Sequence, residues 1–285
     1  FTELTINLVT NATNNNSSLL GKDEAKSMFD FGTFDDFNGY HTYELGIFLL
    51  IGCVGGILGA LFNHITKEFI LLRKRLGWLD KKKWLIRYIE LLSFTALCST
   101  ITFMLSILSS SFACTDLPNT TNWTSQVTDL ENTLVIINCP ENQYNQVGTL
   151  FLNDPDVTLR TLFHYRDEPN IGITFNSSSL ILFFISYFLM ATYTAGLFCP
   201  AGLFVPTLVA GATYGRWVGL ILNDAFPDGT ITDVGTYSLM GAAAILGGMS
   251  RMTIAGTVIL LEASGNSEYL LPLMLVFAGA RYTGN

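Results

Sequence analysis

The stretch whose reading decides the fold is Gly196 to Gly219, GLFCPAGLFVPTLVAGATYGRWVG. It lies in the most apolar part of the chain, yet Gly196, Pro200, Gly202 and Pro206 interrupt it where a membrane helix would run unbroken. Proline removes a backbone donor and resists helix continuation, and glycine admits backbone shapes that other residues avoid. AGLFVP therefore reads as a turn, with a new helix starting near Phe204 to Pro206, since proline suits the first turn of a helix. A helix start leaves N–H groups without intrahelical acceptors and carries about half a positive charge. In hydrocarbon such groups must find a partner. An anion at mid-membrane satisfies them without a lysine that would hold it too tightly to release, and conduction needs binding that is also weak enough to leave. The amides of Leu203, Phe204 and Val205, framed by Gly202 and Pro206, are the candidates, their side chains shaping the pocket. The same pattern also admits a proline kink with no ligand, healed by neighbouring groups.

Composition supports the membrane setting. The 285 residues are 49% hydrophobic and 13% charged, with a mean hydropathy of +0.40, about half the charged fraction of a soluble domain. The net charge of -8 conceals segregation. Residues 67–87 carry eight bases and two acids, whereas 1–44 carry seven acids and two bases and 114–178 carry eight acids and two bases. One basic segment flanked by apolar spans is the asymmetry of the positive-inside rule and places 67–87 in the cytosol. N-glycosylation sequons at Asn11, Asn15, Asn16, Asn119, Asn122 and Asn176 all lie on the opposite side. That compartment permits a disulfide between Cys114 and Cys139, the alternative being two free thiols in a loop. Cys53, Cys98 and Cys199 lie in apolar runs and read as buried thiols.

Four regions follow. Residues 1–42 form a polar lumenal or extracellular segment without the pattern of a signal peptide. Residues 43–112 hold two membrane helices, about 43–72 and 84–112, joined by the basic loop; the first contains GCVGGILGALFN, whose small residues at four-residue spacing let helix backbones approach closely. Residues 113–178 form a lumenal or extracellular insert in which DPDVTLRTLFHYRDEPN predicts one or two short amphipathic helices. Residues 179–285 form the broken-helix region, with spans near 179–198 and 203–222. Short apolar pieces follow, divided by Gly247, Gly248, Gly256, Gly265 and Pro272 into lengths near or below the ~20 residues of a full crossing. Such pieces are expected where half-helices meet around a buried polar site.

Gly-Leu-Phe-Val-Pro at 202–206 resembles the GxFxP anion-site motif of the CLC chloride channels and chloride/proton exchangers. PTLVAGATYGRWVG is similar to that family's following helix, and YSLMGAAAILGGMSRMTIAGTVILLEASGNSEYLLPLMLVFAGARYTGN to its next three. MFDFGTFDDF, the basic loop and the cysteine-bearing insert fit as well, the branch most resembled being the endosomal and lysosomal exchangers. The resemblance implies an all-α membrane fold, a CLC-type inverted-repeat bundle of tilted, partly broken helices. It also implies a homodimer with one pore per subunit, with an accessory membrane subunit on the insert by the same analogy. Chloride is the implied transported ligand, exchanged for protons across an intracellular membrane. It places the amides of Phe204 and Val205 nearest the ion, and it matches Arg251 and Glu262 to family positions, read here as structural polar contacts near helix ends that hold the last helices together. The family's gating glutamate in Gly-x-Glu-Gly-Pro, its internal proton glutamate and its CBS domains have no counterpart in these residues, and Tyr282 comes too early to be the family's anion-site tyrosine. The chain, which starts without Met, is thus expected to be the second half of a membrane domain.

Other readings remain: a passive channel, a transporter of another anion such as nitrate or a carboxylate, or an inactive truncated product. An enzyme built on His164, Asp154, Asp156, Asp167 and Glu168 has no recognised ligand spacing behind it. No metal, organic cofactor or nucleic-acid partner is expected.

Overall fold

The computed structural model describes residues 40, 43–75, 84–116, 134–140, 143–164, 175–197, 202–225, 232–264 and 267–285. In chain order these form α1 (Glu44–Arg75), α2 (Trp84–Leu108), α3 (Ser110–Ala113), β1 (Cys114–Asp116), β2 (Gln143–Asn145), α4 (Gln146–Leu152), α5 (Pro155–His164), α6 (Ser177–Ala195), α7 (Phe204–Ala225), α8 (Val234–Ser250), α9 (Ile254–Ser264), a 3-10 turn (Ser267–Tyr269) and α10 (Leu270–Thr283). Among the described residues the architecture is all-α apart from one short antiparallel strand pair, Cys114 opposite Asn145.

Among the described residues, α1, α2 and α6 are long and apolar enough to cross a membrane. The fourth expected span, near 203–222, is the helix α7, Phe204–Ala225. α7 has 22 residues but is not among those three. Its middle holds Gly211, Thr213, Tyr214, Gly215 and Arg216, all buried in protein. A helix enclosed by other helices has no lipid to match, so its composition need not be lipophilic. At 11 and 14 residues, α9 and α10 rise only about 16 and 21 Å, less than the ~30 Å hydrocarbon thickness. The breaks do not fall at Gly247 and Gly248, which lie within α8, nor at Gly256, which lies within α9. α8 ends instead at Arg251, in the left-handed conformation (φ 57°), its N–H donating to the Gly247 carbonyl at 2.9 Å.

The core centres on α8, buried from Val234 to Gly248, as expected of a helix apolar on every face. α7, α1 and α10 surround it. Small residues set the spacing. A Cβ on Gly59 of α1 would stand 2.5 Å from the Met249 amide nitrogen, and one on Gly215 of α7 2.2 Å from the Tyr237 carbonyl oxygen. α1 also donates to helix C-termini: Asn63 Nδ2 to the Met249 carbonyl (3.0 Å) and Thr66 Oγ1 to the Thr192 carbonyl (3.3 Å). These donors satisfy carbonyls that lack partners at or near a helix end.

The insert is built around Asn145. Its Oδ1 accepts from the Gly148 amide at the start of α4 (3.0 Å), a side-chain N-cap, while its Nδ2 donates to the Ser106 carbonyl of α2 (2.6 Å). α5 is the short amphipathic helix expected from DPDVTLRTLFHYRDEPN, burying Leu159, Leu162 and Phe163. Arg216 Nη1 of α7 donates to the Leu162 carbonyl at 2.6 Å. Glu44, counted in the sequence with the acidic surface segment, is instead fully buried. It accepts from the Thr232 amide (2.7 Å), the Thr232 hydroxyl and the Tyr237 hydroxyl (3.4 Å), tying the start of α1 to the start of α8.

Candidate anion-binding site

α7 begins at Phe204. Leu203 lies just before it, half-buried against the cluster of Phe62, Phe188 and Ala210, and Phe204 and Val205 pack on the main core. Pro206 is the third residue of the helix, where its missing N–H breaks no intrahelical bond. The Thr207 N–H donates to the Leu203 carbonyl at 3.2 Å. The buried Thr207 hydroxyl lies 2.8 Å from both the Leu203 and Phe204 carbonyl oxygens, fixing the opening turn from behind. Sequence reasoning passed over Thr207, although a threonine four residues into a helix bonding back along the chain is a known local pattern. Gly202 is exposed, and a Cβ there meets no atom within 4 Å. The positive end of the dipole of this 22-residue helix therefore lies beside an exposed glycine. Cys199 and Pro200 lie outside the described residues.

Gly196 caps the preceding helix, α6, with ordinary right-handed backbone (φ -89°, ψ -7°). Its lack of a side chain has a different reason from the conformational freedom expected of it. Arg73 Nη1 of α1 donates to the Gly196 carbonyl, and a Cβ on Gly196 would stand 2.7 Å from that nitrogen. Arg73 Nε donates to Glu90 Oε1 of α2 at 2.7 Å, the two side chains being 8% and 10% exposed. The Tyr193 hydroxyl donates to the same oxygen at 3.2 Å, and the guanidinium carbon lies 4.8 Å from the Tyr193 ring centroid. Arg73 and Glu90 were absorbed in the sequence into the cytosolic basic segment and the second span; nothing in their spacing pairs them.

The other sequence candidates lie apart. Cys114 and Cys139 form a disulfide bridging 25 residues, Cα atoms 5.8 Å apart. Asn176 is exposed at the N-cap of α6; Asn11, Asn119 and Asn122 lie outside the described residues. Arg251 and Glu262 are both exposed, and among the described residues neither side chain makes a hydrogen bond or ion pair. Among the described residues these two side chains do not join the last helices; α8 and α10 meet with Gly247 against the Phe277 ring and the Ala280 methyl. Of the imagined enzyme cluster, Asp154 and Asp156 lie around the start of α5 and His164 at its end, while Asp167 and Glu168 lie outside the described residues.

A family model described as "Voltage gated chloride channel" matches residues 7–285. The chain belongs to the voltage-gated chloride channel family. Mouse and human "H(+)/Cl(-) exchange transporter 7" are each 35% identical to it over 259 residues, 90% of this chain and 30% of theirs. Arabidopsis "Chloride channel protein CLC-d" is 33% identical over 253 residues, 88% of this chain and 31% of its own. The chain thus spans about 30% of the length of these relatives. Its fold is similar to part of a eukaryotic CLC transporter (TM-score 0.52, 20% identity, covering 86% of this chain and 33% of that one) and of a slow cyanobacterial Cl-/H+ antiporter (TM-score 0.52, 15% identity, 91% and 47%).

Proposed function

We propose that this chain supplies the anion-binding half of a chloride/proton exchanger, the ion resting against the amides of Phe204 and Val205 at the start of α7. The observation that carries the reading is the placement of the Gly202–Pro206 motif. In a family of anion transporters, these residues lead into the opening turn of a 22-residue helix beside an exposed glycine. No cation side chain needs to touch the ion there, so binding stays weak enough for release. Relatives named as exchangers support proton coupling.

The exposed apolar side chains of α9 and α10, among them Ile254, Val258, Leu271 and Met274, suit the homodimer implied by resemblance. An endosomal, lysosomal or vacuolar membrane, and an accessory membrane subunit on the insert, rest on the resemblance alone. A passive chloride channel is the second reading, favoured by relatives whose names call them channels.

One experiment separates the two. The protein encoded by the full reading frame is reconstituted in liposomes, and chloride efflux and external pH are recorded together. Exchange predicts proton uptake into the vesicles against a proton gradient, driven by chloride leaving. Chloride efflux that leaves the pH unchanged supports the channel, and absence of any anion flux rejects both.

A further inference from the structure

Three helices converge on one buried ion pair at the basic end of α1. Arg73 comes from α1, Glu90 from α2, and Tyr193 and the Gly196 carbonyl from the end of α6. The Tyr193 ring is held between Phe69 and Phe94, with centroids at 5.1 and 4.4 Å. Arg73 Nη2 is buried without a hydrogen-bond partner. A buried ion pair is a weak source of stability, because desolvating two charges offsets most of their attraction, and apolar side chains would serve as well to hold three helices together. What an arginine adds is a planar, fixed fork of donors that sets directions. Here the fork is oriented by Glu90 through Nε and holds the carbonyl of Gly196, the cap of α6, with Nη1. The positive charge also complements the negative end of the α6 dipole.

Gly196 is six residues before Gly202, so the held carbonyl opens the connection that leads to the first turn of α7. An ion bound by amides rather than by a charged side chain depends on where those amides sit, and small displacements of such donors are costly. We infer that Arg73, oriented by Glu90, is a positioning residue for the transported anion: by holding the Gly196 carbonyl it fixes the far end of the segment that carries the Leu203–Val205 amides. This rests on the anion-site reading above. Glycine at 196 then serves the approach of the guanidinium, since the backbone there suits any residue.

The test uses the full reading frame in liposomes, measuring the chloride half-saturation of flux and the thiocyanate-to-chloride rate ratio. Removing either charge alone leaves the other buried and endangers folding. The first variant is therefore Gly196→Ala, whose methyl would displace the flexible end of Arg73 and leave both charges in place. Arg73→Lys, which keeps the charge and loses the fork, is the second, and Gly202→Val is the reference for the anion site itself. The expected result is a chloride half-saturation raised roughly tenfold, with an altered rate ratio, in Gly196→Ala and Arg73→Lys at normal yield and thermal stability. A merely structural role would lower yield and stability while the flux of each surviving molecule kept its wild-type half-saturation and ratio; that outcome overturns the proposal. If Gly202→Val changes both quantities and the Gly196 and Arg73 variants change neither, the positioning role fails alone. If Gly202→Val also changes nothing, the anion-site reading fails and the positioning role with it.

Discussion

A Cβ on Gly202 meets no atom within 4 Å, whereas one on Gly196 meets the Arg73 guanidinium. The two glycines that bracket the break in the apolar run therefore respond differently to substitution. At Gly202 the sequence predicts that a β-branched residue distorts a turn. The structure instead leaves room for the side chain and gives no left-handed backbone to strain. Gly202→Val is expected to fold with a melting temperature near that of the parent and to lose at least about tenfold in chloride flux, by filling the space before the helix end. Flux and thermal unfolding measured on one preparation check this: normal flux refutes the site, and collapse of stability refutes the open space. Phe204→Ala leaves the backbone amides in place and is expected to alter anion selectivity or rate at normal expression. The motif was legible because proline and glycine announce a helix break in any context. Arg73, Glu90 and Glu44 were not, since their roles depend on partners 17 to 193 residues away.

At the scale of elements, the long helices were legible and the short ones less so. α1, α2 and α6 stand out because a lipid-facing helix must be apolar over its whole length. α7 and α8 lie inside protein, and their small residues record contact with neighbours rather than with lipid. α4 and the strand pair carry no periodic signal at all, being organised by the Asn145 side chain and the disulfide. The α1 stripe makes the clearest prediction. Gly59 faces the backbone of Gly248 and Met249, at 2.6 and 2.5 Å from an added Cβ, and backbone cannot rotate away as a side chain can. Gly59→Val is expected to cost more than about 3 kcal/mol and to yield little folded protein. Gly46→Ala, on the same helix with open space around it, is expected to be neutral. Size-exclusion profiles of the two variants in detergent decide the point; equal monodisperse yields would mean that α1 does not pack on α8 at this distance.

On the scale of the whole molecule, two long-range clasps define which ends of the helices lie together. Glu44 at the start of α1 binds Thr232 just before α8, and Arg73 at the end of α1 binds Gly196 at the end of α6. The starts of α1, α6 and α8 therefore share one side, with the insert and its disulfide, and the ends of α1 and α6 share the other, with the basic residues Arg73, Lys74 and Arg75. Charge asymmetry predicts that the second side faces the cytosol. Single cysteines introduced at Lys74 and at Ile136, which is 63% exposed, test it with a membrane-impermeant maleimide. After the reactive native thiols have been replaced, Lys74→Cys is expected to label only when the cytosolic face is opened. Ile136→Cys is expected to label only from the opposite face, where the Cys114–Cys139 bridge also yields to an impermeant reductant. Labelling of both from one side would break the link between the clasps and the membrane. The helix end at Phe204 would then lose its place between two aqueous compartments, and with it the argument that an ion passes there.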